Sequence, residues 1–160
     1  MTERLEASLN CLRSLVGNSQ DYAIFGSTAF VLNELLDREP KDIDLMASKV
    51  LWGNLFSSNG MKMNTPKAGD PPFLSYSEGW HTGMTIPLSI FYDWCDSTID
   101  IPSLINKAEI VKGLRVIPVK DAVYHKQEGL RKVDMASEKF AYHIDDLARI
   151  RNLLSEGGRL

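Results

Sequence analysis

Between residues 22 and 46 the chain changes its hydrophobic period repeatedly, and that succession limits the fold more than any other feature. Tyr22-Ala23-Ile24-Phe25 is a continuous apolar run of strand length, stopped by Gly26-Ser27. A buried strand that meets glycine can turn sharply, and Ser27 or Thr28 is available to cap the next element. Ala29 to Leu36 are mostly helix formers. Asp37-Arg38-Glu39-Pro40 ends that segment, because proline disfavours helical geometry in the residue before it. Asp42-Ile43-Asp44-Leu45-Met46 then alternates polar and apolar, the period of a strand with one wet face.

The flanking segments extend this core. Leu5, Leu9, Leu12 and Val16 recur at helical spacing and end at Gly17-Asn18, which predicts an amphipathic helix. Val50 to Phe56 predicts a further helix, and Asn59-Gly60 a turn into Met61-Lys62-Met63, whose methionines read as core residues. Asn64 to Gly79 holds three prolines and two glycines and reads as a mobile loop able to act as a lid. Strands are expected at Thr85–Tyr92, Thr98–Ile101 and Leu114–Val119, and a helix at Lys120–Leu130. Phe140, Ile144, Leu147, Ile150 and Leu154 mark a closing C-terminal helix, and the order of elements implies an α+β fold.

At 160 residues the chain fits one domain, 1–160, and its 44% apolar content is enough for a sizeable core. No apolar run approaches the ~20 residues a bilayer requires, and the charged N-terminus does not read as a secretory signal, so a cytoplasmic protein is expected. Cys11 and Cys95 lie far apart and outside any CxxC spacing, which argues against disulfides and thiolate zinc. The net charge of −3 gives no overall attraction to nucleic acid.

Chemistry concentrates in the first strand pair. A glycine after a strand lets backbone N–H groups approach a phosphate closely, and the next helix directs its positive end there. Asp42 and Asp44, two apart on a strand, project from one face roughly 7 Å from each other by the strand rise. A magnesium ion relieves their repulsion, since it takes oxygen ligands and bridges carboxylates to phosphates. Arg38 and Lys41, just before them, are candidate phosphate contacts.

The segment from Phe25-Gly26-Ser27-Thr28-Ala29-Phe30 through Arg38-Glu39-Pro40-Lys41-Asp42-Ile43-Asp44-Leu45 resembles the signature of the polymerase-β-like nucleotidyltransferases: Gly-Ser, a helix, then Asp-x-Asp. More narrowly it is similar to the abortive-infection and small lincosamide-type enzymes. The likeness covers some 20 residues, with support from Leu114–Val119, Lys126 and Asp145-Asp146-Leu147. It implies a mixed β-sheet flanked by helices and a Mg²⁺-dependent transfer of a nucleoside monophosphate from a nucleoside triphosphate, ATP among them. The acceptor would be a hydroxyl on a small molecule, an RNA such as tRNA, or a protein. It also implies a third carboxylate, a metal ligand or general base on a neighbouring strand, for which Asp93 and Asp100 are the candidates. The alternative reading is a catalytically silent nucleotide- or partner-binding module, with a toxin-antitoxin or phage-defence setting in view.

The remaining polar residues read as structural. His81, His125 and His143 share no metal-ligand spacing and are expected to be surface or satisfied polar groups. Trp80-His81 could stack on a base but more simply caps a core. Lys126, Arg131, Lys132 and Lys139 make the C-terminal part locally basic, which is read as a solvated helix face with an RNA or triphosphate contact as the competing role.

Overall fold

Thr2 and Gly17 bound the first element. The Thr2 hydroxyl accepts from the Leu5 amide, and Gly17 takes a positive φ of 53° at the other end of helix α1, Glu3–Val16. The structure is a computed structural model and describes residues 1–58, 62–64, 73–76, 84–92 and 99–157. Leu5, Leu9, Leu12 and Val16 are all buried, as their spacing predicts.

Strand β1 (Tyr22–Phe25) is buried along its whole length and runs into helix α2 (Gly26–Leu32) with no loop between them. Neither Ser27 nor Thr28 caps α2: Phe25 occupies the cap position without a side-chain bond, and the Thr28 hydroxyl instead donates to the Asp42 carbonyl, 3.1 Å away. The helix also stops four residues earlier than Leu36. Glu34 adopts a φ of 61°, its amide donates to Val31 O, and the Leu35 amide donates to Phe30 O. That paired bonding ends a helix with a left-handed residue, a place normally given to glycine.

Strand β2 (Ile43–Ala47) comes next, then helix α3 (Lys49–Ser58), whose Trp52 indole donates to Ile90 O at 3.0 Å. Strand β3 (Lys62–Asn64) pairs with strand β4 (Phe73–Tyr76), so part of the segment read as a lid is sheet. Met61, Trp80, His81, Asp93, Cys95 and the rest of that lid lie outside the described residues. Strand β5 is Leu88–Phe91. The strand expected to end at Ile101 is not formed there: Asp100 caps helix α4 (Ile101–Lys107), its carboxylate accepting from the Ser103 amide, with proline in the first turn. That is the grammar of a helix start.

A hairpin of β6 (Glu109–Val111) and β7 (Leu114–Val116) turns through Lys112 and Gly113, both at positive φ. The chain closes with α5 (Val119–Leu130) and α6 (Glu138–Glu156). On α6 Leu147, Ile150 and Leu154 are buried, whereas Ile144 is 46% exposed.

The strands form one mixed sheet in the order β3-β4-β5-β2-β1-β7-β6. β1 and β2 are antiparallel at its centre, with Phe25 opposite Asp44, while β5 runs parallel to β2 and β7 parallel to β1. The fold is therefore α+β, a mixed sheet flanked by helices, with α6 last in the chain.

Candidate functional site

The end of β1 and the start of β2 meet because the two strands are antiparallel neighbours, and that register carries Asp44 to the glycine at the β1–α2 junction. Gly26 has a φ of 67°, and a β-carbon built on it would stand 2.7 Å from Asp44 Oδ2. Only a residue without a side chain leaves room for the carboxylate there. Asp42 lies one residue before β2, its peptide carbonyl held by Thr28. The glycine bend and both acids thus share one end of the central strands.

These carboxylates open onto a cleft of about 720 Å³ that is also lined by residues of α5 and α6. Arg38 and Lys41 line it as well, so Gly26, Ser27, Arg38, Lys41, Asp42 and Asp44 are brought together in one place. Asp100 does not line it. On β5 the residue in register with Asp44 is Ser89, and among the described residues no third carboxylate stands on the strand beside the pair.

The acids are electrostatically strained. Asp44 is partly buried, and loss of solvent, reinforced by the charge of Asp42 and relieved in part by Lys139, pushes its carboxyl up to about 8. Asp42 is raised too, first by loss of solvent around its carboxylate although the residue as a whole is exposed, with Lys139 and Lys41 pulling it back. Two crowded carboxylates short of water attract a cation. Among the described residues no group of three or more histidines, cysteines or acids surrounds a common point. The donor set fits Mg²⁺, which is commonly bound through one or two carboxylates with phosphate and water completing the shell.

The cleft is also lined by cations, and one of them, Lys126, differs from its sequence reading. Lys126 is no solvated face: its side chain is 8% exposed and its ammonium lies 3.2 Å from Asp146 Oδ2. Asp146 also receives Arg38, through Nη2 to Oδ2 at 2.6 Å and Nε to Oδ1 at 3.2 Å. Arg38 Nη2 reaches Ser27 Oγ at 3.2 Å, and its guanidinium lies 4.2 Å from the centre of the Tyr142 ring. His143 is half-buried and hydrogen-bonded, the satisfied polar group that was one of its two expected roles. Burial and then the charges of Lys126 and Lys139 hold its ring down to about 4, so it is neutral at pH 7 and its Nδ1 accepts from Lys126 at 2.9 Å. His125 lines the same cleft, packed edge-on to Phe25 with ring centres 5.2 Å apart.

No family profile matches the chain, and no curated protein matches it. Solved structures do. ANT(2″)-Ia, crystallised in complex with adenylyl-2″-tobramycin, superposes with a TM-score of 0.60 at 12% identity over 94% of this chain and 90% of its own. A Thermotoga maritima protein assigned as a nucleotidyltransferase gives 0.54 at 17% identity over 97% of this chain and 96% of its own. An antigenic nucleotidyltransferase-like protein of Paracoccidioides brasiliensis gives 0.54 at 16% identity, over 94% of this chain and 75% of its own.

The chain has the polymerase-β-like nucleotidyltransferase fold. In this nucleotidyltransferase-like fold the Gly-Ser bend and the Asp-x-Asp strand are adjacent, as the sequence signature requires. The wall completed by Asp146, Lys126 and His143 gave no comparable local signal. Its residues lie on two helices, and Arg38 and Asp146 are 108 positions apart.

Proposed function

We propose that the chain transfers a nucleoside monophosphate from a nucleoside triphosphate to an acceptor hydroxyl, with Asp42 and Asp44 holding Mg²⁺. One observation carries this: the Asp44 carboxylate sits directly against Gly26 in a cleft also lined by Arg38, Lys126 and Lys139. Two acids and several cations facing one cavity suit a ligand that brings its own metal and its own negative charge. When bound, Mg²⁺ offsets charge on the phosphates and on the departing pyrophosphate.

This chain's own groups have distinct tasks. Gly26 and Ser27 admit the phosphates closely, and Arg38 and Lys41 hold and orient them. The acceptor oxygen attacks the α-phosphorus, the bond to the β-phosphate breaks, and pyrophosphate leaves. Asp93 is the proposed acceptor of the hydroxyl proton; the carboxylate of Asp100 is already used to cap α4. The adenylated antibiotic in the ANT(2″)-Ia structure supports ATP as donor and a small-molecule hydroxyl as acceptor, with RNA and protein hydroxyls as the other candidates.

The test is incubation with each labelled triphosphate, Mg²⁺ and a cell extract. A labelled product is expected, and Asp42→Asn or Asp44→Asn should reduce it to background while the protein stays folded by circular dichroism. Activity retained in both variants rejects the assignment. A second reading is favoured by Ser89, which stands where a neighbouring strand would offer a carboxylate to Asp44. It is a nucleotide-binding module without turnover, at home in a toxin-antitoxin or phage-defence system. Mg²⁺-dependent nucleotide binding with no product from any of the four triphosphates would select it.

A further inference from the structure

Among the described residues Asp146 is the one acidic residue that is buried, 4% exposed, on a helix whose inward face is otherwise leucine and isoleucine. A carboxylate in that position is costly unless paired, and both of its oxygens are paired. Oδ1 accepts from Arg38 Nε, and Oδ2 accepts from Arg38 Nη2 while lying 3.2 Å from Lys126 Nζ. The two cations come from different parts of the chain, one from the segment before β2 and one from α5. Without a shared anion they would repel each other across the back of the cleft.

Arg38 is fixed further. The nitrogen that meets Asp146 Oδ2 also donates to Ser27 Oγ, and the guanidinium lies over Tyr142. Its orientation is thus set jointly by α2, α6 and the Asp146 carboxylate. Lys126 is held in the same way between Asp146 and His143. A cation already fixed in place loses little freedom when an anion arrives.

We propose that Asp146 is the positioning residue of the phosphate-facing wall, holding Arg38 and Lys126 where a polyphosphate meets them. The proposal rests on reading the cleft as a polyphosphate site. Position and charge argue with opposite sign here. Removing a negative charge from a cationic wall should tighten an anion by simple electrostatics. Removing the residue that orients two cations should loosen it. The outcome therefore separates a positioning role from a merely neutralising one.

The experiment titrates the full chain with inorganic tripolyphosphate in a calorimeter, without metal or nucleotide. The wild type should bind, and Asp146→Asn should bind about tenfold more weakly, the loss of roughly one charge-assisted contact. Asp145→Asn, on the exposed side of the same helix, should bind like the wild type. Should Asp146→Asn fail to fold, Arg38→Lys carries the test, because it keeps the charge but loses the two-pronged contact to Asp146. When both fold, the double variant should be no weaker than the worse single one. Equal or tighter binding by the variants, additive losses, or a wild type that ignores tripolyphosphate would overturn the proposal.

In transfer assays the substitution should raise KM for the triphosphate about tenfold and move kcat far less, whereas general loss of folded protein would lower kcat alone. If no transfer is found yet tripolyphosphate behaves as expected, the transfer reading falls and Asp146 keeps its role. If transfer is found with an unchanged KM in Asp146→Asn, the reverse holds.

Discussion

Gly26 combines two constraints that no other residue type meets, a φ of 67° and a contact with Asp44 Oδ2 that leaves 2.7 Å to any added β-carbon. A left-handed conformation costs an L-residue about 1–2 kcal/mol, and the clash adds to it. Gly26→Ala should therefore destabilise the protein by more than that strain alone in wild type, and by about the strain alone when Asp44 is alanine; urea unfolding of the four proteins of this cycle measures both. Asp44 makes a pH prediction of its own. Its unfolded carboxyl has the ordinary value of 3.8 and the folded one is pushed up to about 8. Between those values the folded protein keeps a proton that the unfolded chain has lost, so this group's contribution to metal-free stability is full below pH 3.8 and falls as pH rises through 8. Asp44→Asn should flatten that decline and be more stable than wild type at pH 8 by about 1–3 kcal/mol, the scale of a buried charged group without its partner. A parallel decline in both proteins would contradict the assignment. Gly26, Asp42 and Asp44 were legible because their chemistry is written in adjacent residues, a glycine after a strand and acids at a period of two. Asp146 was not, because on a helix an aspartate looks the same whether it faces water or two cations.

Whole elements were legible where burial repeats along the chain. The stripe of α1 is buried in full, but that of α6 is buried only from Leu147 onward, since its first turns line the cleft. Periodicity records the side that is apolar, not what it packs against. Ile150→Ala should cost about 2–5 kcal/mol as a large-to-small core change, whereas Ile144→Ala, exposed at 46%, should stay within about 0.5 kcal/mol. Chemical denaturation compares them directly, and equal losses would mean that α6 is docked by its other face. Element ends were harder. Beyond the end of α2, Glu34 takes a left-handed conformation for which glutamate gives no sequence signal, whereas the Asp-Ile-Pro-Ser start of α4 carried a helix-cap signal that the apolar alternation around Asp100 obscured.

At the scale of the molecule, one ligand would have to join two halves of the chain. The acids and the glycine bend belong to β1, α2 and β2, while Lys126, Lys139, Tyr142 and His143 arrive from α5 and α6. Long-range packing of this kind leaves no local pattern, which is why Arg38, Lys41, Asp42 and Asp44 could be grouped from one segment of the sequence, whereas the joining of Lys126 and Lys139 to them could not. A nucleotide bound between them with Mg²⁺ stabilises both at once. At a hundred times its dissociation constant a ligand adds about 2.7 kcal/mol, which for a domain of this size raises the unfolding temperature by about 5–10 °C. The shift should be largest with nucleotide and Mg²⁺ together, shrink in EDTA to that of the metal-free nucleotide, and shrink likewise in Asp42→Asn and Asp44→Asn. On the proposed reading it should also slow amide exchange in α6, although α6 contributes neither acid, because the ligand's phosphates would meet Lys139 and the Arg38–Asp146–Lys126 cluster. Protection confined to β1 and β2 would leave the helices out of the site, and an equal shift in EDTA would take the carboxylates out of it.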